Sequence, residues 1–309
     1  MRIFRKDNLL FFVGVLVAVA VFLKNSWISE DAYILFRSLE QLFAGNGPVW
    51  NPHERVQVFT SPLWYILLAV IRIFSADHFL NSILLSLALF LTVLFMLRSI
   101  FKDNTAFFLS VLLLCASNGF FDYTSSGLEN ILGYAVITLF ISMYFCVFDC
   151  NSDKRDLDIL LLLSGLVILV RHDLALLVLP SAVYSVISRF RSYSRRHWAV
   201  IIILSFLPFF AFTLFSLLYY GFPFPNTAYA KLNTGIDKIE IIKQGLCYFY
   251  SSLLHDSITL VVIFTAIALS LFSHRCIHNR YLGYGIILNL LYIIYVGGDF
   301  MQGRFFSRV

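Results

Sequence analysis

Charged residues are scarce in this chain: Asp, Glu, Lys and Arg make up 13% of its 309 positions, against 60% hydrophobic residues and a mean hydropathy of +0.82. A soluble domain carries about 25% charge and roughly half apolar residues, so this composition excludes one and specifies an all-α, polytopic membrane protein. Paired cysteines are missing as well. Cys115, Cys146, Cys150, Cys247 and Cys276 lie mostly inside or at the ends of apolar segments without metal-site spacing, and read as small apolar residues. No phosphate-cradling glycine loop, zinc signature, dinucleotide fingerprint or serine-hydrolase elbow occurs, which removes the chemistries those motifs carry. The net charge of +5 and pI near 8.9 would suggest nucleic acid in a soluble chain. Here the basic residues sit in short clusters between apolar runs, as membrane orientation requires, and no nucleic-acid partner is expected.

What is present is a series of apolar segments of spanning character, at about 9–23, 61–75, 79–97, 105–121, 130–149, 157–170, 174–188, 198–220, 257–273 and 281–297. The first follows Arg2, Arg5 and Lys6 and resembles a secretory signal. The small-x-small pattern Ala18-Val19-Ala20 lies within the apolar run, so an uncleaved anchor is expected. Ten spans with the N-terminus inside would put Lys154-Arg155, Arg189 to His197 and Arg275 to Arg280 outside, against the positive-inside bias three times over. The weakest segment, 61–75, is short, opens beside Pro62 and carries Arg72. Reading it as a helix in the outer interface repairs every loop at once and leaves about nine spans. The basic loops then share the cytoplasmic side. The other face collects 24–78, 122–130, 171–173, 221–256 and the segment from Gly297 onward. The expectation is one transmembrane domain over 1–309, with a first outer loop at 24–78 and a second large one at 221–256.

The outer segments hold the residues able to carry chemistry. Ser29 is a good N-cap, which puts Glu30 and Asp31 in the first turn of a helix. Ala32, Leu35, Phe36, Leu39, Leu42 and Phe43 recur at helical spacing after them, and Gly45-Asn46-Gly47 closes the element. An apolar stripe beside a membrane predicts a helix lying on the surface, near lipid headgroups. The acidic pair has two readings: complements to the helix dipole, or a general base at the membrane edge, where desolvation raises a carboxylate pKa. Glu129, after Gly127-Leu128, is a helix-start acid or a site acid. Arg171-His172-Asp173 interrupts a long hydrophobic stretch, as a tight turn with interfacial charges or as a cationic seat for phosphate. "YGFPFPNTAYAKL" (220–232), with Asn226 and Lys231, has a composition suited to sugar binding and equally to a loop leaving a membrane. "GGDFMQGRFFSRV" sets Asp299 and Arg304 between glycines that let backbone approach a ligand. Arg37, Thr60 and Trp64 of the first outer loop join the candidates for substrate binding.

Taken in order, "EDAYILFRS", "GNGPVWNPHERVQVFTSPLW", "GLEN", "FPFPNTAYAKL" and "GGDFMQGRFF" resemble the GT-C superfamily of membrane glycosyltransferases. They are most similar to the bacterial branch that includes the terminal arabinofuranosyltransferases of mycobacterial cell walls. The resemblance runs along nearly the whole chain. It implies a donor sugar on a polyprenyl phosphate, an envelope glycan or lipid-linked acceptor, membrane lipids as surroundings, and a site on the periplasmic face of the bacterial inner membrane. It also implies transfer with inversion, Asp31 as base, Glu30 as its helper, and Arg171 and His172 holding the donor phosphate. Whether a divalent cation is held, with Asp31 and Glu129 as its ligands, stays open. The family often has two aspartates where this chain has Glu30 and Asp31, and its members continue past "GGDF" into further spans and an outer domain that this chain is expected to lack. Two other readings stand beside the transferase: a non-catalytic membrane subunit, and a lipid or solute transporter. The latter predicts mid-span ionisable residues and internal repeats, neither of which is evident.

Overall fold

The structure is a computed structural model that describes residues 6–148, 153–232, 235–272 and 276–309. Among the described residues it contains helices and no strand. In chain order the α-helices are α1 (Lys6–Lys24), α2 (Glu30–Phe43), α3 (Pro62–Arg72), α4 (His78–Ile100), α5 (Asn104–Ala116), α6 (Asn118–Thr124) and α7 (Asn130–Phe148). Then follow α8 (Lys154–Val170), α9 (Ala175–Arg189), α10 (Arg195–Tyr220), α11 (Asn226–Leu232), α12 (Lys238–His255), α13 (Ser257–Leu271) and α14 (Asn279–Tyr295). A lipid-facing bundle has no water to satisfy its backbone, which is why the apolar sequence resolves into helices. Their starts are set by side-chain caps: Ser29, Ser61, Asp77, Asp103, Ser117, Ser194, Asp237 and Asp256 each accept an N–H of the following turn.

The chain is a multi-pass membrane protein. Among the described residues four helices are long and apolar enough to cross a membrane, or six if each of two bent pairs is one span. The expected figure of about nine also includes α1, α8 and α14, whose apolar lengths are at the short end for crossing. Helices meet at backbone distance where glycine allows it. A Cβ on Gly165 of α8 would run into the Ser205 carbonyl of α10, and one on Gly285 of α14 into the Leu177 carbonyl of α9.

Contacts group the loops at two ends of the molecule. At one end the Trp27 indole donates to the Asp122 carbonyl, Tyr220 Oη to the Pro48 carbonyl and the Asn226 N–H to the Gln57 carbonyl. At the other, Tyr193 Oη donates to the Lys154 carbonyl, Tyr144 Oη to the His278 carbonyl, and His197 pairs with Asp158.

Three features depart from the expectation. The segment expected as a single span at 105–121 is broken: α5 and α6 meet at 82°, because Ser117 stops the first helix and caps the second. The outer loop at 221–256 contains the 18-residue α12, bent by 111° from α13 at Asp256. The apolar stripe of α2 does not lie on lipid. Ala32, Leu35, Phe36 and Leu39 are buried in the protein's main core with Trp64, Phe90 and Phe120, while Phe43 is exposed. The period had the right face; its partner is α3 and the loop before α7 rather than headgroups.

Candidate active site

Four polar segments converge at one end of the molecule. Ser29 Oγ accepts the Asp31 N–H at 3.3 Å and fixes Asp31 in the first turn of α2, while the Ser29 N–H donates to the Ser126 carbonyl at 2.9 Å. That bond ties the first outer loop to the second. Gly127 makes the approach possible: its φ is +76°, and a Cβ there would lie 2.9 Å from Ala32 Cβ. Trp64 Nε1 donates to the Gly127 carbonyl at 3.0 Å. Glu129 is thereby held beneath α2, facing the break between α8 and α9.

Across that break Arg171 grips Asp173 with two donors, Nε to Oδ1 at 2.9 Å and Nη2 to Oδ2 at 3.2 Å, and gives Nη1 to Glu129 Oε1 at 2.7 Å. The glycine-rich segment after α14 brings Arg304 in from the far end of the chain. Its Nη1 donates to Asp31 Oδ2 at 3.2 Å and lies 3.6 Å from Asp299 Oδ2, and its Nη2 is 3.6 Å from Glu129 Oε1. Arg308 Nη1 stands 3.4 Å from Asp173 Oδ2. The result is a line of alternating sign: Asp31, Arg304, Glu129, Arg171, Asp173, Arg308, with Asp299 beside Arg304. Phe305 lies between two of its cations, with the Arg171 and Arg308 guanidinium carbons 5.7 and 4.9 Å from the ring centroid.

Burial explains why the charges alternate, since an unpaired charge out of water is too costly to keep. Burial pushes the Glu129 carboxyl up, but the positive charges of Arg171 and Arg304 outweigh it and hold the group at about 2. Arg171 is likewise lowered by burial and raised further by Asp173 and Glu129, to well above the ordinary arginine range. Arg308 is the weak member: burial and the neighbouring Arg171 charge bring it down to about 10, with Asp173 only partly opposing. Two of its nitrogens, Nε and Nη1, lack a hydrogen-bond partner among the described residues.

Six residues singled out from the sequence therefore meet in one network: Asp31, Glu129, Arg171, Asp173, Asp299 and Arg304. The others lie apart from it. Glu30 is exposed and makes no ion pair among the described residues. Arg37 is occupied with the first outer loop, stacking on Trp50 and donating to the Trp50 carbonyl and Asn51 Oδ1. Trp64 is fully buried under Gly127, and Thr60 is half-buried beside it in sequence. His172 meets Phe209 and Phe224 edge-on rather than the ion cluster. Asn226 is exposed at the start of α11, and the Lys231 side chain lies outside the described residues. Asp31 and Glu129, considered as a cation pair, both face the Arg304 guanidinium. Among the described residues no group of three or more His, Cys, Asp or Glu comes together to hold a metal ion.

Arg308 was missed by sequence reasoning, although "GRFFSRV" repeats arginine four positions after Arg304. So was the joint beneath them. Asp256, at the α12–α13 break, accepts the Gly119 N–H at 2.7 Å and Thr259 Oγ1 at 2.6 Å, and Ser117 Oγ contacts the same threonine hydroxyl. A Cβ on Gly119 would be 3.2 Å from the Gly303 carbonyl, so the two helix breaks interlock directly under Arg304.

Comparison with known proteins follows the same polar segments. Residues 53–215, over half of the sequence, match the family described as dolichyl-phosphate-mannose-protein mannosyltransferase. The chain belongs to that family. The matched stretch contains Glu129, Arg171 and Asp173, whereas Asp31, Asp299, Arg304 and Arg308 lie outside it. Terminal beta-(1->2)-arabinofuranosyltransferase of Mycobacterium tuberculosis is 32% identical to the chain over 243 residues, 73% of this chain and 37% of that protein. The protein of the same name in Corynebacterium glutamicum is 28% identical, over 91% of this chain and 46% of its own length. The chain thus spans less than half the length of these two relatives. No solved structure matches it.

Proposed function

We propose that this family member is an inverting glycosyltransferase of the GT-C type. It moves a sugar from a polyprenyl-phosphate donor to an envelope glycan or lipid-linked acceptor at the periplasmic face of a bacterial inner membrane. Asp31 is the base. The observation that carries this reading is exposure. The Asp31 side chain is 31% exposed, while Glu129, Asp173 and Asp299 are at 5%, 8% and 2%. Of the four carboxylates, Asp31 is the one an incoming hydroxyl meets.

In the step itself the acceptor oxygen bonds to the anomeric carbon as the bond from that carbon to the phosphate oxygen breaks. The electron pair departs with the lipid phosphate and the hydroxyl proton passes to an Asp31 oxygen. Arginine suits the departing phosphate because its planar fork matches two oxygens at once, and fixed cations where charge develops lower the barrier most. The names of the relatives make arabinofuranose the first sugar to try.

The test is transfer in membranes from polyprenyl-phosphate sugars to envelope acceptor, comparing the parent chain with Asp31→Asn. A positioned base supplies about 10²- to 10⁴-fold, so transfer should fall by that much while protein level and insertion hold. Equal transfer by both would remove Asp31 from the mechanism.

A further inference from the structure

The base of the proposed reaction is not free to act, because its carboxylate is engaged by a guanidinium. Among the described residues Arg304 is the only cation paired with Asp31. The reverse does not hold. Arg304 divides itself among three carboxylates, at hydrogen-bond distance from Asp31 alone and at 3.6 Å from Glu129 and Asp299. Those two have other partners: Glu129 accepts Arg171 at 2.7 Å, and Asp299 Oδ1 accepts the Phe300 N–H at 2.9 Å. Arg304 also keeps a buried Nε with no hydrogen-bond partner among the described residues. Its pair with Asp31 is the link in the network nearest to solvent, with Asp31 31% exposed and Arg304 8%.

We propose that Arg304 is exchanged between Asp31 and the donor phosphate. A lipid phosphate entering beside Asp31 takes the guanidinium, and Asp31, released from its counter-charge, accepts the acceptor's proton. The inference rests on the transferase reading and adds a reason for the arrangement. A carboxylate oxygen that accepts a guanidinium N–H at 3.2 Å is already engaged, so pairing keeps the base occupied until a phosphate arrives. The leaving group then strengthens the exchange. The donor phosphodiester carries one negative charge and the departing monoester approaches two, so the pull on Arg304 grows as the sugar–phosphate bond breaks, which is binding concentrated in the transition state. Glu129 and Asp299 hold the guanidinium near its place during the hand-over, so the movement required is a shift of the fork and not a new rotamer of the whole side chain.

Competition for one cation has a consequence that ordinary active-site damage does not. Removing the base should tighten phosphate binding. Binding of undecaprenyl phosphate to the purified full chain in lipid nanodiscs would be measured for the parent, Asp31→Asn, Arg304→Gln, the double variant, and Glu30→Gln. Asp31→Asn should bind roughly tenfold tighter, a size within the coupling seen for close charge pairs. Glu30→Gln, which removes an equal charge next door from a residue with no ion pair, should stay within about twofold. Arg304→Gln removes the cation, so it should bind more weakly, and Asp31→Asn added to it should yield little further gain. Equal tightening by Asp31→Asn and Glu30→Gln, or a full gain from Asp31→Asn in the Arg304→Gln background, would mean simple repulsion of the anion and overturn the exchange. Unchanged binding in Asp31→Asn would overturn it too. None of these readouts needs turnover, so the transferase reading stands or falls separately, on the transfer assay.

Discussion

The two ends of the molecule carry the same kinds of charged group and use them differently. At one end Lys154, Arg155, Arg191, Arg195 and Arg196 are exposed, and the pair of His197 with Asp158 has side chains 36% and 28% exposed. At the other, Glu129, Asp173, Asp299, Arg304 and Arg308 are all below 10% and Arg171 is at 14%. Water decides between the roles. Solvated charges are screened and interact weakly with one another, so the exposed set places little constraint on the structure around it. Dry charges cannot ignore each other, and each of the buried set is fixed by its neighbours.

That contrast can be broken most severely at Glu129. Glu129→Gln strips Arg171 of one partner and Arg304 of another inside a dry site, and should cost about 3–5 kcal/mol of stability, read as thermal unfolding in detergent. A loss below about 1 kcal/mol would mean the cluster is wetter than its burial indicates. Acid should attack the same group. Its folded value is depressed, from an ordinary 4.5 to about 2. The stability it contributes is therefore fully present above pH 4.5 and is lost as pH falls from there toward 2. Acid titration of the parent chain and Glu129→Gln should diverge above that window and converge within it.

A smaller effect is expected from Gly119→Ala, whose new Cβ would lie 3.0 Å from Asp256 Oδ2 and 3.2 Å from the Gly303 carbonyl. Overpacking there should cost roughly 1–3 kcal/mol and, by displacing Arg304, lower transfer as well. Smallest of all, Asp158→Asn at the opposite end should change stability by less than about 1 kcal/mol and leave transfer alone. If Asp158→Asn matched Glu129→Gln, the distinction between the two ends would collapse.

Much of this was legible beforehand. Each apolar segment named from the sequence is helical over most of its described residues, and 61–75 holds the 11-residue α3, whose Arg72 pairs with Glu40 of α2. Apart from Arg308, the acids and arginines of the cluster were legible as residue types at the ends of apolar runs, because such charges must be placed where something answers them. What could not be read was who answers whom. Asp31 and Arg304 are 273 positions apart, and nothing local relates them. The breaks at Ser117 and Asp256 escaped notice because a capping side chain inside an apolar run changes hydropathy little while redirecting the helix by 82° or 111°. The stripe of α2 showed which face is apolar, but period alone does not distinguish lipid from protein as the partner.

The length of that 273-residue span also bears on time. A ribosome finishes Asp31, Glu129 and Asp173 long before it reaches Arg304 and Arg308. Until the segment past Gly297 is in place, Asp31 lacks the arginine that faces it and Asp173 shares only Arg171. The nascent chain thus holds its acids in a half-built, wetter pocket until that segment arrives. A ribosome-stalled chain ending before Gly297 should accordingly expose Asp31 and Glu129 to carboxyl-reactive reagents that a chain extended through Arg308 resists, making the segment that carries Arg304 and Arg308 the latch of the site.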